Sequence, residues 1–188
     1  MKRRLVISSI LATLTLFIAC ENAQKTGAEA AIKAAQTGYA AIADQANQYV
    51  PDQAKDVQNA IQSAKDSFDK GDYAAAFETA KTLPGKIKDL EAAAIAKKDE
   101  LTAKWKDLSG SMPGLISAVQ SKADALTKSH KLPAGAADTL ASVKQGWTDA
   151  SSTFSSGQIT DALAKASAAK DKLMELANKL GVKPPAAS

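Results

Sequence analysis

The sequence predicts an all-α protein, an Ala-rich helical bundle of about six helices arranged as two tandem three-helix repeats. About a fifth of the residues are Ala, and Lys, Gln, Leu, Asp and Glu supply much of the remainder. These residue types lose little on entering a helix. Beyond the N-terminal segment, no run of alternating β-branched residues stands between turn signals, so no strand is expected. Apolar residues recur at spacings of three and four, as Ala54, Val57, Ile61, Ala64 and Phe68, and again as Leu140, Val143, Trp147, Ala150 and Phe154. That is the period of a helix with one buried face.

The N-terminus is a separate element. Lys2, Arg3 and Arg4 precede an uncharged run of fifteen residues from Leu5 to Ala19. A membrane-crossing helix needs about 20 apolar residues, and Ser8, Ser9, Thr13 and Thr15 dilute this run, so an export signal over residues 1–19 is expected in place of a permanent span. The run closes as Phe17-Ile18-Ala19-Cys20, on the only cysteine of the chain. A lone thiol in an exported protein cannot pair within its own chain, and acylation would remove that liability. An ordinary cleaved signal that leaves Cys20 incidental is the alternative. A catalytic Cys20 would need a positioned base, which the end of an export signal does not offer.

The stretch "LTLFIAC" resembles the lipobox of bacterial lipoproteins, in which a small residue precedes an invariant cysteine; Phe17 stands where Leu is usual. The resemblance implies cleavage after Ala19 and lipidation of Cys20, a diacylglyceryl anchor carrying chains such as palmitate. It also implies attachment to a membrane facing the periplasm. Glu21 stands where Asp favours inner-membrane retention in enteric lipoproteins, which inclines the expectation toward the outer membrane.

Removing residues 1–19 takes away three cations and leaves 21 Lys and Arg against 20 Asp and Glu, a net charge of +1 over 169 residues. The basic balance belongs to the signal, and no basic face remains to bind nucleic acid. With no second cysteine, stability must come from packing. Ala-rich seams bury little apolar area per residue, so Phe, Trp, Tyr and Leu are expected as the few large anchors.

The elements of the mature chain follow in order. Residues 20–27 read as the lipidated Cys20 and a flexible lead. The first three-helix unit spans 28–108, with breaks at Pro51 and Gly71. Its third helix is expected to kink at Pro84 and continue, because the apolar phase of Tyr73, Phe77 and Ala80 resumes at Ile87, Leu90 and Ala94. "GSMPG", Gly110 to Gly114, is expected to end that helix. The second unit spans 109–181, with breaks at Pro133 and Gly157, and residues 182–188 form a Pro/Ala tail. The two apolar sets are offset by 86 at every member, and the same offset pairs Gly71 with Gly157, Phe77 with Leu163, Ala80 with Ala166, Ile87 with Leu173 and Leu90 with Leu176. A phase preserved across two helices and their turn argues for internal duplication. The glycines suit the left-handed position that ends a helix, and Asp72 suits the cap of the next. "GDYAAAFETAKTLPG" resembles the second helix of a tetratricopeptide repeat over about fifteen residues, but the 86-residue period is not that family's, so it implies a shared way of packing two helices and nothing more.

Candidate chemistry is sparse. His130 is the single histidine, and a zinc site needs several His or Cys ligands. A solvated residue at a helix end is its expected role. Pairing His130 with Met112 or Met174 as haem ligands has no supporting motif. No G-x-S-x-G elbow or phosphate-binding glycine loop is present. Trp105 and Trp147 fall on apolar stripes and are expected as core anchors. No catalytic residue, cofactor or metal is expected. The functional expectation is a non-enzymatic envelope scaffold or protein-binding module, partnered by the membrane through Cys20 and by another envelope protein. The alternative is a periplasmic carrier holding a small apolar molecule or lipid between the two helical units.

Overall fold

The computed structural model describes the backbone of residues 2–183 and the side chains of residues 22–183. Six helices follow one another, α1 (Lys2–Tyr49), α2 (Pro51–Asp69), α3 (Tyr73–Ala80), α4 (Leu83–Lys128), α5 (Ala136–Ser155) and α6 (Ile159–Leu180). Among the described residues there is no strand, and no helix is long and apolar enough to cross a membrane. The expected export signal, residues 1–19, and Cys20 lie outside the residues whose side chains are described.

The chain divides into two units, Met1–Lys97 and Lys98–Ser188. In the first, α1, α2 and the α3–α4 stretch pack around one core built from Ala28, Ile32, Ala35, Tyr39, Ala46, Ala54, Val57, Ile61, Ala64, Ala76, Ala80, Leu83, Ile87 and Leu90. Val50 is the whole connection between α1 and α2; its amide still donates to the Ala46 carbonyl at 2.8 Å, and Pro51 then opens α2. Pro suits that place because the first helical amides have no intrahelical acceptor. In the second unit, the end of α4 packs with α5 and α6. Met112, Leu115, Val119, Leu140, Val143, Leu173 and Leu176 form one cluster and Trp105, Ala150, Ala162 and Ala166 another.

Two expectations about the helices are corrected. The third helix does not run through Pro84. It stops at Ala80 and restarts at Leu83, with Thr82 donating to Thr79 across the gap at 3.2 Å. Pro84 has no amide to give the Ala80 carbonyl, so the ladder slackens one turn before it. The buried phase Ala76, Ala80, Leu83, Ile87, Leu90 and Ala94 nonetheless passes straight through. "GSMPG", by contrast, does not end a helix: Gly110, Pro113 and Gly114 lie inside α4. Burial of Trp105, Met112, Leu115 and Val119 along one face outweighs local propensity there. The Ser111 hydroxyl, bonding the Asp107 carbonyl at 3.0 Å, eases the turn before Pro113. The division between the two units lies at Lys97 and Lys98, and Trp105 and Leu108 pack with α5 and α6 residues.

The large anchors are also redistributed. The largest fully enclosed side chains are Leu83, Met112, Leu173, Val119 and Val143, whereas Phe68, Trp147 and Phe154 are only half-buried and Phe77 is 40% exposed. A Cβ at Gly146 of α5 would lie 3.5 Å from the Ala169 Cβ of α6. A seam of Ala and Gly draws α5 and α6 this close, and among the rings it is Trp105, Tyr39 and Tyr49 that are buried.

Candidate functional site

The lead at Cys20 has a defined neighbour in unit 1. Residues 22–27, expected to be flexible, belong to α1; Asn22 to Thr26 are exposed, and the Thr26 hydroxyl bonds the Asn22 carbonyl at 2.9 Å. Helix α2 returns along α1, with Gln58 Nε2 donating to the Tyr39 hydroxyl at 2.7 Å. This brings the α2–α3 turn back to the lead. There the Lys25 ammonium sits 5.7 Å from the centroid of the Tyr73 ring, a cation–π distance. Tyr73 meets Phe68 edge-on, with centroids 5.1 Å apart at 62°. A Cβ at Gly27 would lie 3.7 Å from the Phe77 ring, an ordinary contact distance, so the ring lies over the bare backbone of α1 there. Asp72 caps α3 as expected, its carboxylate accepting from the Ala75 amide at 3.1 Å.

His130 is exposed and has φ 56, the only positive value at a described non-glycine residue. It ends α4 in the left-handed conformation, with the Lys131 amide donating to the Leu126 carbonyl at 2.8 Å, the bond pattern of a Schellman cap. Met112 is buried in the core eighteen residues before His130, about 27 Å along a helix, so no shared ligand site forms between them. Among the described residues, no three His, Cys, Asp or Glu side chains come together as a metal cage.

Trp105 and Trp147 do join, in a stack that residue spacing alone did not reveal. Trp147 and Phe154 lie seven residues apart on α5, about 10.5 Å of rise. The Trp105 ring meets Trp147 at 5.4 Å and 9° and Phe154 at 4.4 Å and 6°. The sequence signal was the seven-residue spacing, but nothing in it named the third ring.

Open grooves mark the surface of unit 2. One, of about 470 Å³, is lined by Pro133, Asp138, Thr139, Lys172, Glu175 and Lys179. Another, of about 420 Å³, is lined by Pro113, Ile116, Gln120, Lys144, Trp147 and Thr148. Both are mixed in polarity. Glu175 and Lys179 pair at 2.8 Å, and the bond and charge of Lys179 hold the Glu175 carboxyl below its ordinary value. The buried Thr153 hydroxyl donates to the Asp149 carbonyl at 2.7 Å and accepts from Lys165 at 2.8 Å.

No protein-family model matches the chain, and no curated protein or solved structure matches it either.

Proposed function

We propose that the mature chain is a lipid-anchored envelope protein, held on a membrane through Cys20, whose helical body acts by contact with a protein partner and not by catalysis. The observation that carries this reading is the N-terminal pattern: Lys2-Arg3-Arg4, an uncharged fifteen-residue run, then Ala19-Cys20 at the only cysteine. The body behind it supports a scaffold. Its cores are filled by side chains, and its one histidine serves a helix end. The grooves of unit 2 are open and of mixed polarity, a form suited to surface contacts more than to enclosing a lipid. Tethering then raises the effective concentration of such contacts, so weak ones suffice.

Mass spectrometry of the N-terminal peptide from isolated membranes tests the anchor. A mature chain beginning at an acylated Cys20 is expected, and Cys20→Ala should leave uncleaved precursor with no lipid label. An unmodified Cys20, or cleavage elsewhere, refutes the anchor. Affinity capture of the lipidated protein from its own membranes tests the rest: a stoichiometric protein partner is expected, while a retained small molecule with no protein would favour the carrier.

A further inference from the structure

We propose that the exposed ring of Phe77, with Tyr73 beside it, is a membrane-contact surface that rests on the headgroups of the bilayer to which Cys20 is attached. The inference rests on the lipid-anchor reading and adds to it an orientation for unit 1. Among the described residues only Phe77 and Ile95 are large apolar side chains with substantial exposure, 40% and 45%. They differ in place. Gly27 lies against Phe77 and Gly38 against Ile87, so α1 and the α3–α4 stretch run in the same direction. Phe77 is therefore at the end where the lead enters, and Ile95 lies eight residues beyond Ile87, toward the opposite end.

The reach of the lead decides what covers Phe77. Gly27 lies seven positions beyond Cys20, about 10 Å as helix and at most about 25 Å fully extended. An acylated Cys20 would sit at the bilayer interface, which places Gly27 and the Phe77 ring against it within about 25 Å of the headgroups, and within about 10 Å with the lead helical as in α1. Aromatic side chains favour that zone, where the ring leaves water while polar neighbours remain hydrated. Charge also fits a lipid surface of a particular kind. Lys25, Lys70 and Lys81 around this end are matched by Asp69, Asp72 and Glu78, and Lys81 pairs with Glu78. This balanced set gives no attraction to an anionic leaflet, so zwitterionic headgroups are the expected ground.

Photo-crosslinking decides the matter. Benzoylphenylalanine is placed at Phe77 and, in a separate chain, at Ile95, the other exposed apolar side chain, toward the opposite end of the same unit. Both full-length chains are expressed in cells and irradiated in isolated membranes. A phospholipid adduct is expected at 77 and none at 95. An adduct at 77 to a protein, or none while the N-terminal peptide is shown to be acylated, overturns the proposal. A bare Cys20 in cells overturns the anchor reading instead. The surface is then judged by coupling the Cys20 thiol to a maleimide lipid in phosphatidylcholine vesicles, where the same adduct at 77 supports it and its absence refutes it. Phe77→Leu, which keeps an apolar cover over Gly27, confirms by an unchanged thermal midpoint that this position tolerates replacement.

Discussion

The α2–α3 hairpin and the α5–α6 hairpin close with one turn, bond for bond. In the first, the amides of Lys70, Gly71 and Asp72 donate to the carbonyls of Asp66, Phe68 and Ser67. In the second, Ser156, Gly157 and Gln158 donate to Ser152, Phe154 and Thr153. Gly71 has φ 82 and Gly157 φ 84. The next residue opens its helix at φ −84, ψ 72 in one and φ −86, ψ 66 in the other. Past the turn the hairpins part. Helix α3 lasts 8 residues and α6 lasts 22, and Pro84 stands where the second copy has Lys170. The rings differ too, an edge-on Phe68–Tyr73 pair in one and a three-ring stack in the other. A backbone device that depends on one glycine and a small-residue seam is the same in both, while the aromatic residues follow what each hairpin packs against: a lysine and a glycine of α1, or Trp105 of α4.

The sharpest way to break this comparison is to remove the middle ring. Trp105→Ala leaves Trp147 and Phe154 facing an empty slot, and the expected cost is about 3 to 5 kcal/mol, less if the Ala-rich surroundings collapse. Phe68→Ala strips only a half-buried edge contact, and about 1 to 2 kcal/mol is expected. Denaturant titration of both variants, with amide exchange in each unit, measures the difference. Equal losses would mean that the stack adds nothing beyond ordinary burial.

Replacing the shared glycines sharpens the likeness. Both hold left-handed backbone with open space where a Cβ would go, so Gly71→Ala and Gly157→Ala meet only the conformational penalty, about 1 to 2 kcal/mol each. The two values should agree within error in thermal or denaturant unfolding. A large disagreement would show that one turn carries strain that the other does not.

What the chain made legible was periodic: the all-α class, the buried phase, the left-handed glycines and the Asp72 cap all depend on residues within a few positions of one another. Where the reading failed, a distant partner decided. "GSMPG" looks like a stop, yet Met112 and Leu115 gain more by staying on a helix facing α5 and α6 than Gly110, Pro113 and Gly114 lose. Trp105 was legible as an apolar anchor but not as a ring between two others, because that needs the register of α4 against α5. The Tyr73–Phe77 end was invisible for the same reason. Local spacing cannot say that Gly27, almost fifty residues earlier, would be its neighbour.

Pro84 offers a finer test. If its missing amide is the reason α3 ends at Ala80, then Pro84→Lys, the residue at the matching place in the second copy, restores a donor to the Ala80 carbonyl. It should join α3 to α4. Stability should rise by up to about 1 kcal/mol, and the amides of residues 82 and 83 should exchange more slowly. Unchanged exchange there would shift the cause to the Thr79–Thr82 bond and away from the proline.

The smallest expected difference is electrostatic and confined to the second copy. Glu175 pairs with Lys179 across one turn of α6, whereas the matching positions of the first copy, Asp89 and Ala93, hold no such pair. The hydrogen bond and charge of Lys179 lower the Glu175 pKa from its ordinary 4.5 in the folded chain. A carboxyl whose folded pKa is depressed contributes stability that is fully present above the unfolded value and is lost as pH falls through the folded one. The contribution should therefore be constant at neutral pH and fade only below about pH 4.5, the direction opposite to that of a histidine or lysine gaining a partner. Both side chains are largely exposed, so water and salt screen the pair and its effect is small. Glu175→Gln should lower the thermal midpoint slightly at pH 7, with the gap from the parent chain shrinking toward pH 3 and in high salt. Asp89→Asn, made as the control, should show no comparable change in its gap over the same range. A gap that persists unchanged at pH 3 would mean that Glu175 contributes through packing over the Pro133 groove and not through its charge.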